Sequence, residues 1–157
     1  MTPAVKQLDK STVSYQLHHY QHDKNNSHYG EEAAEKLAVA ANRIYKTLVV
    51  ETDDHSLAVA IIPVSAQLNL KQTAKALNVK KAIMAAPQKV QSTTGYVLGG
   101  VSPFGQKKRL PTLIDNSMEN LTTVFVSGGK RGLEIETTPQ AFSQILNAKM
   151  VAIAEQR

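Results

Sequence analysis

The chain contains no cysteine, which excludes a thiol nucleophile, a disulfide framework and any cysteine-ligated zinc or iron–sulfur centre. No apolar run approaches the ~20 residues that a membrane span needs, and the opening Met1–Lys6 lacks the apolar core of a signal peptide. A soluble cytoplasmic protein with no membrane partner is therefore expected. There is no Gly-x-Gly-x-x-Gly, so a dinucleotide fingerprint is missing. A phosphate-binding P-loop is missing too. Gly100 and Gly105 reproduce its first spacing, but Gln106 stands where the lysine belongs, and Leu110-Pro111 blocks the helix that such a loop must open. The serines lack the Gly-x-Ser-x-Gly context of a nucleophile elbow, which argues against a serine hydrolase.

What is present suits one globular domain, residues 1–157, with 42% hydrophobic residues and enough length to bury a core without staples. Eighteen Lys and Arg against thirteen Asp and Glu leave a formal charge of +5, which favours encounter with polyanions. The excess gathers at Lys80-Lys81, Lys107-Lys108-Arg109 and Lys130-Arg131, each beside an expected turn, so that the three clusters could share one face.

Thr2-Pro3 caps a short helix to about Lys10, and the alternation of Val13, Tyr15 and Leu17 predicts a strand to about Tyr20. Gln21–Ser27 reads as a loop. From Gly30 to about Asn42 strong helix formers follow carboxylates in the first turn. Ile44–Glu51 and Leu57–Val64 predict an antiparallel hairpin. Helices are expected over Leu70–Leu77 and from Pro87, with a short strand at Ala82–Ala85 between them. Tyr96–Leu98 is a β-prone run, and Leu110–Asp115, Thr122–Ser127 and Leu133–Thr137 read as strands, the last two joined by the Gly128–Gly132 turn. Thr138-Pro139 opens a helix to Leu146, and Met150–Ala154 closes the chain as a strand or helix end. The fold class is α/β, in the α+β sense, with a mixed sheet surrounded by short helices.

Gly95–Pro111 is the stretch most suited to a binding site. Gly99, Gly100 and Gly105 allow close approach to backbone amides, Pro103 stiffens the loop, and such a loop aims N–H groups at an oxygen that carries or develops negative charge. A tight turn followed by solvated lysines is the plain alternative. Lys46 lies inside an apolar strand, on the side of Ile44 and Leu48; its ammonium either snorkels to water or holds a phosphate or oxyanion. Glu134 and Glu136 share one strand face, fit for acid–base work or, more simply, for pairing with Lys130 and Arg131 across the turn. His18, His19, His22, His28 and Asp23 are the one candidate metal cluster. Its spacing would serve a helix face, the segment reads as strand end and loop, and hydrogen-bonded surface histidines are the better expectation.

Three separated motifs carry a resemblance: Tyr-Lys-Thr-Leu at 45–48, Thr-Thr-Gly-Tyr-Val-Leu-Gly-Gly-Val-Ser-Pro-Phe-Gly-Gln-Lys-Lys-Arg-Leu-Pro at 93–111, and Val-Ser-Gly-Gly-Lys-Arg-Gly-Leu-Glu-Ile-Glu at 126–136. With Met1–Lys6 and Tyr-Gln-His-Asp at 20–23, the chain resembles the bacterial YbaK-type Cys-tRNA(Pro) deacylases over essentially its whole length. The resemblance implies a free-standing relative of the editing domain of prolyl-tRNA synthetases, with a barrel-like mixed sheet and no cofactor or metal. Its implied partners are the aminoacylated 3'-end of tRNA and that synthetase. By the same resemblance Lys46 and the Gly99 amide are catalytic. Tyr20, Thr47, Gly100, Ser102, Pro103, Ser127 and Glu134 line the substrate pocket; from their charge, Lys107, Lys108, Arg109, Lys130 and Arg131 are expected to meet the tRNA backbone. Many relatives carry aspartate where Glu134 stands. The implied reaction is attack by the substrate's own cysteine thiol on its ester carbonyl, with water as the competing nucleophile. From the residues alone, a non-catalytic basic RNA-binding module and a binder of phosphorylated small molecules stay open.

Overall fold

A computed structural model describes residues 1–157. Thr2 caps α1 (Pro3–Asp9) by accepting from the Val5 N–H, and Ala4, Val5 and Leu8 turn inward. β1 (Tyr15–His19) follows as expected. α2 (Tyr29–Leu37) stops well short of Asn42, because Ala38 takes a left-handed conformation at its C-terminus and a 3-10 turn occupies Ala41–Arg43. The alanine-rich composition that predicts a longer helix is thus overridden by the need to turn the chain into β2 (Tyr45–Thr52).

β2 and β3 (Leu57–Pro63) form the antiparallel hairpin, in register from Tyr45↔Pro63 to Glu51↔Leu57. β4 (Ala66–Leu68), which the sequence does not announce, leads into α3 (Leu70–Ala76), capped by Asn69. β5 (Ala82–Met84) and α4 (Pro87–Thr94) come next. Tyr96–Leu98 forms no strand: Tyr96 is buried with its hydroxyl donating to the Phe104 carbonyl, and Val97 and Leu98 are exposed in a turn. β6 (Thr112–Asp115), β7 (Val124–Ser127), β8 (Leu133–Thr137) and α5 (Pro139–Leu146) lie where expected. The chain ends in two short strands, β9 (Lys149–Val151) and β10 (Ala154–Gln156).

The strands make a five-stranded mixed sheet in the order β5-β2-β3-β6-β9, a three-stranded antiparallel sheet β1-β8-β7, and the pair β10-β4. The β2–β3 and β2–β5 pairs are antiparallel, and β3–β6 and β6–β9 are parallel. The barrel implied by resemblance does not close. The two larger sheets meet through one parallel bridge, Ile44↔Phe125. β5 covers only the far end of the free edge of β2, at Val50–Thr52, and the near end is left without a strand partner on that side. The main core, with Tyr45, Val49, Ile61, Phe104, Ile114, Val126, Ile135 and Phe142, fills the space between the larger sheets and α1 and α5. Asp115, itself buried, ties the last strands down by accepting from the Ile153 and Ala154 N–H groups.

Candidate active site

The near end of β2 opens a cleft of about 260 Å³. Five successive residues, Ile44–Leu48, contribute to its wall, so the cleft runs along the strand's edge as well as its face. Tyr20 after β1, Tyr29 of α2, Gly99 and Val101 of the glycine loop, Ser127 at the end of β7 and Glu134 of β8 complete it. Chain segments far apart in sequence meet here, beside the Ile44↔Phe125 bridge between the two sheets.

Lys46 is half-buried in this wall. Burial pushes its ammonium pKa down, the charge of Arg157 lowers it further, and Glu31 opposes both. Glu31 is itself paired with Arg157. Next to Lys46, the Thr47 hydroxyl is buried with no hydrogen-bond partner in the protein, an arrangement that a folded chain tolerates mainly where a ligand or water supplies the missing bond. The Ser127 hydroxyl accepts from the Gly129 N–H at 3.1 Å.

Glu134 does not pair with Lys130 or Arg131. It is 6% exposed, and burial raises its carboxyl to about 8, so it is neutral at pH 7. The strand face it shares with Glu136 is split in environment: Glu136 accepts from Thr123 Oγ1 at 2.6 Å and lies 2.9 Å from His18 Nε2 and 3.4 Å from Arg43. Burial alone would raise Glu136, but these partners hold it below the usual carboxylate range. Burial first, and then the charge of Glu134 once that residue ionises, push the Tyr20 phenol up to about 12.

The glycine loop is divided between two sides. Gly99 reaches the cleft with φ +86°, and a side chain there would meet Arg131 Nε at 2.6 Å and Tyr29 Cε2 at 2.7 Å. Gly100 packs so closely on the Lys130 backbone that a Cβ would lie 2.9 Å from its Cα. Ser102 and Pro103 point elsewhere. The Ser102 hydroxyl is fully buried and accepts from the Phe104 N–H, and Pro103 borders a smaller hollow with Gln7 and Arg109.

The basic clusters border different hollows. Lys107, Lys108 and Arg109 are exposed, with Arg109 at the Pro103 hollow; Lys130 borders a hollow with Thr2 and His19; Lys81 stands beside Asp53 at another. Arg131 is at the cleft rim, its guanidinium 4.5 Å over the Tyr29 ring and donating to the Leu98 carbonyl at 3.0 Å. The histidines are scattered onto separate carboxylates: His18 on Glu136, His22 on Glu32 and His28 on Glu31.

Tyr29 and the charge that Arg157 brings near Lys46 were not legible in the sequence, whereas Leu98 and Val101 lie within the glycine stretch already singled out. Tyr29 reads as the residue before a helix, and its place over Gly99 depends on a long-range packing. Arg157 arrives because β10 pairs with β4, a contact with no local signal.

Residues 24–145 match the family model described as the aminoacyl-tRNA editing domain. The chain is 34% identical over 152 residues to EbsC of Enterococcus faecalis, assigned by name as a Cys-tRNA(Pro)/Cys-tRNA(Cys) deacylase, and covers 97% of this chain and 92% of that protein. A proline–tRNA ligase of Brachyspira hyodysenteriae is 24% identical over 97 residues, 62% of this chain and 17% of the ligase. A crystal structure described as a trans-editing enzyme for prolyl-tRNA synthetase superposes with a TM-score of 0.83 at 19% identity, covering 99% of both chains, which establishes a shared fold.

Proposed function

Because the chain belongs to the aminoacyl-tRNA editing domain family, we propose that it is a deacylase that removes cysteine wrongly attached to tRNA(Pro). The observation that carries this reading is the meeting of Lys46, Thr47 and the Gly99 backbone in one cleft. An aminoacyl ester is already activated, so its cleavage needs chiefly placement and a site for the developing oxyanion. Lys46 supplies charge, and the Gly99 N–H supplies a fixed dipole. Glu134, neutral at pH 7, adds no negative charge to repel that oxyanion.

The nucleophile in this reading is the cysteinyl thiolate of the substrate. Its sulfur bonds to the ester carbonyl carbon, the carbon–oxygen bond to the tRNA breaks, and the released 3'-oxygen takes up a proton while a cyclic thioester leaves. Tyr20, Thr47, Ser127 and Glu134 shape the pocket around the aminoacyl group. Lys107, Lys108, Arg109 and Lys130 are available to tRNA phosphates, and prolyl-tRNA synthetase is the partner that the kinship to its editing domain favours.

The test is incubation with Cys-tRNA(Pro) under single-turnover conditions, beside Ser-tRNA(Pro) with binding measured separately. Loss of the cysteinyl ester, with the seryl ester much slower despite equal binding, is expected, since a hydroxyl is far less ionised than a thiol. Equal rates, or solvent oxygen-18 in the first-formed cysteine product, would make water the nucleophile. No loss of either ester would remove the deacylase reading.

A further inference from the structure

Leu98 and Gly99 are the central residues of a turn closed by the Gly100 N–H donating to the Val97 carbonyl at 3.0 Å. Gly99 has φ +86° and Leu98 is not among the residues with positive φ, which makes this a type II turn. The peptide between the two central residues is the weak point of such a turn: rotated by about 180°, it gives type I, with carbonyl and N–H exchanged in direction. The carbonyl of that peptide belongs to Leu98 and its N–H to Gly99. Arg131 Nη2 donates to this carbonyl, and no protein acceptor takes the Gly99 N–H.

Arg131 is in turn held in place. Its guanidinium lies over Tyr29, the Tyr29 ring packs 5.7 Å from His22, and His22 Nδ1 lies 2.6 Å from the buried carboxylate of Glu32. A planar guanidinium can stack and donate at once, which an ammonium cannot do.

We propose that Arg131 is a positioning residue, which locks the Leu98–Gly99 peptide in the one orientation that leaves the Gly99 N–H free for the ester oxygen. This rests on the proposed deacylase reading for its chemical purpose, though the lock itself is a property of the unliganded protein. It also gives Arg131 a role different from a phosphate contact. The stack on Tyr29 and the bond to Leu98 together hold its guanidinium beside the glycine loop.

The experiment uses Arg131→Ala and Arg131→Lys in the full chain, with three readouts: the single-turnover rate on Cys-tRNA(Pro) at saturating enzyme, the affinity for uncharged tRNA at two salt concentrations, and the Gly99 amide resonance. Loss of one fixed donor predicts a rate about 100-fold lower for both variants, with tRNA affinity and its salt dependence unchanged. Added guanidinium should restore part of the rate to Arg131→Ala, and the Gly99 resonance should shift or broaden as the peptide begins to rotate. A variant that keeps its saturated rate but binds tRNA more weakly, with a shallower salt dependence, overturns the proposal in favour of a phosphate contact. An unchanged Gly99 resonance overturns it too. If the parent protein cleaves no ester, the deacylase reading fails, and the resonance still decides the lock. Should Arg131→Ala fail to fold, Tyr29→Leu removes the stack from the other side and is read by the same resonance.

Discussion

Replacing Glu134 by glutamine removes a titration that the fold has displaced far from its ordinary range. In the unfolded chain this carboxyl ionises near 4.5, whereas in the folded protein burial raises it to about 8. Between those values the folded state holds a proton that the unfolded chain has lost, so stability falls as pH rises, and it stops falling once the folded group has ionised. Each pH unit of that window is worth ~1.4 kcal/mol. The parent protein should therefore lose about 3 kcal/mol relative to Glu134→Gln by pH 7, and about 5 kcal/mol by pH 8 and above. Urea unfolding of both proteins at pH 4.5, 6, 7 and 8.5 measures the difference directly. Glutamine keeps the shape and a polar head but cannot titrate, so the packing contribution is the same at every pH and cancels in the slope. A stability difference that stays constant from pH 4.5 to 8.5 would refute the buried, neutral Glu134.

Gly99→Ala puts a Cβ 2.6 Å from Arg131 Nε and 2.7 Å from Tyr29 Cε2 at a φ of +86°, so it should cost about 1–2 kcal/mol by urea unfolding and abolish deacylation in a single-turnover assay. Lys46→Met keeps the apolar stem in the cleft wall and should unfold at the parent's urea midpoint to within about 0.5 kcal/mol, while the single-turnover rate falls at least 100-fold. For Glu32, burial would raise the carboxyl, but the Asp23 N–H, His22 and Lys36 outweigh it and hold it low; its contribution is present above the unfolded value near 4.5 and is lost as pH falls through the folded one. Glu32→Gln should cost about 3 kcal/mol at pH 7 and remove that part of the acid instability, as followed by circular dichroism below pH 5.

Much of the fold could be read from local pattern because its elements are locally determined. Thr2-Pro3 and Thr138-Pro139 each start a helix, and the β-branched runs on either side of Thr52–Ser56, joined by a short turn, pair with each other as a hairpin. The misreadings fall where distant contacts decide. Tyr96–Leu98 has strand propensity, but the Tyr96 hydroxyl is claimed by Phe104, and the chain turns at once. Ala66–Leu68 becomes a strand only because the last residues return to pair with it. In the site, Lys46 was conspicuous as a charge in an apolar strand. The spacing of Glu134 and Glu136 suggested one shared environment, yet the same alternation delivers one carboxylate to an enclosed wall and the other to His18 and Arg43, a distinction that the order of residues does not contain.

The single bridge between Ile44 and Phe125 also bears on how the pocket can change. One wall belongs to the hairpin sheet and the other to the three-stranded sheet, and apart from this bridge the two are held together by the side chains of the main core between them. The two walls meet along a short spine, so the width of the opening follows the angle between the sheets, which the spine and the core packed beside it set together. Enlarging or trimming the residues packed around the spine, Ala33, Val64 and Phe125 among them, would alter which side chains the opening admits while leaving Lys46 and Gly99 on their own supports.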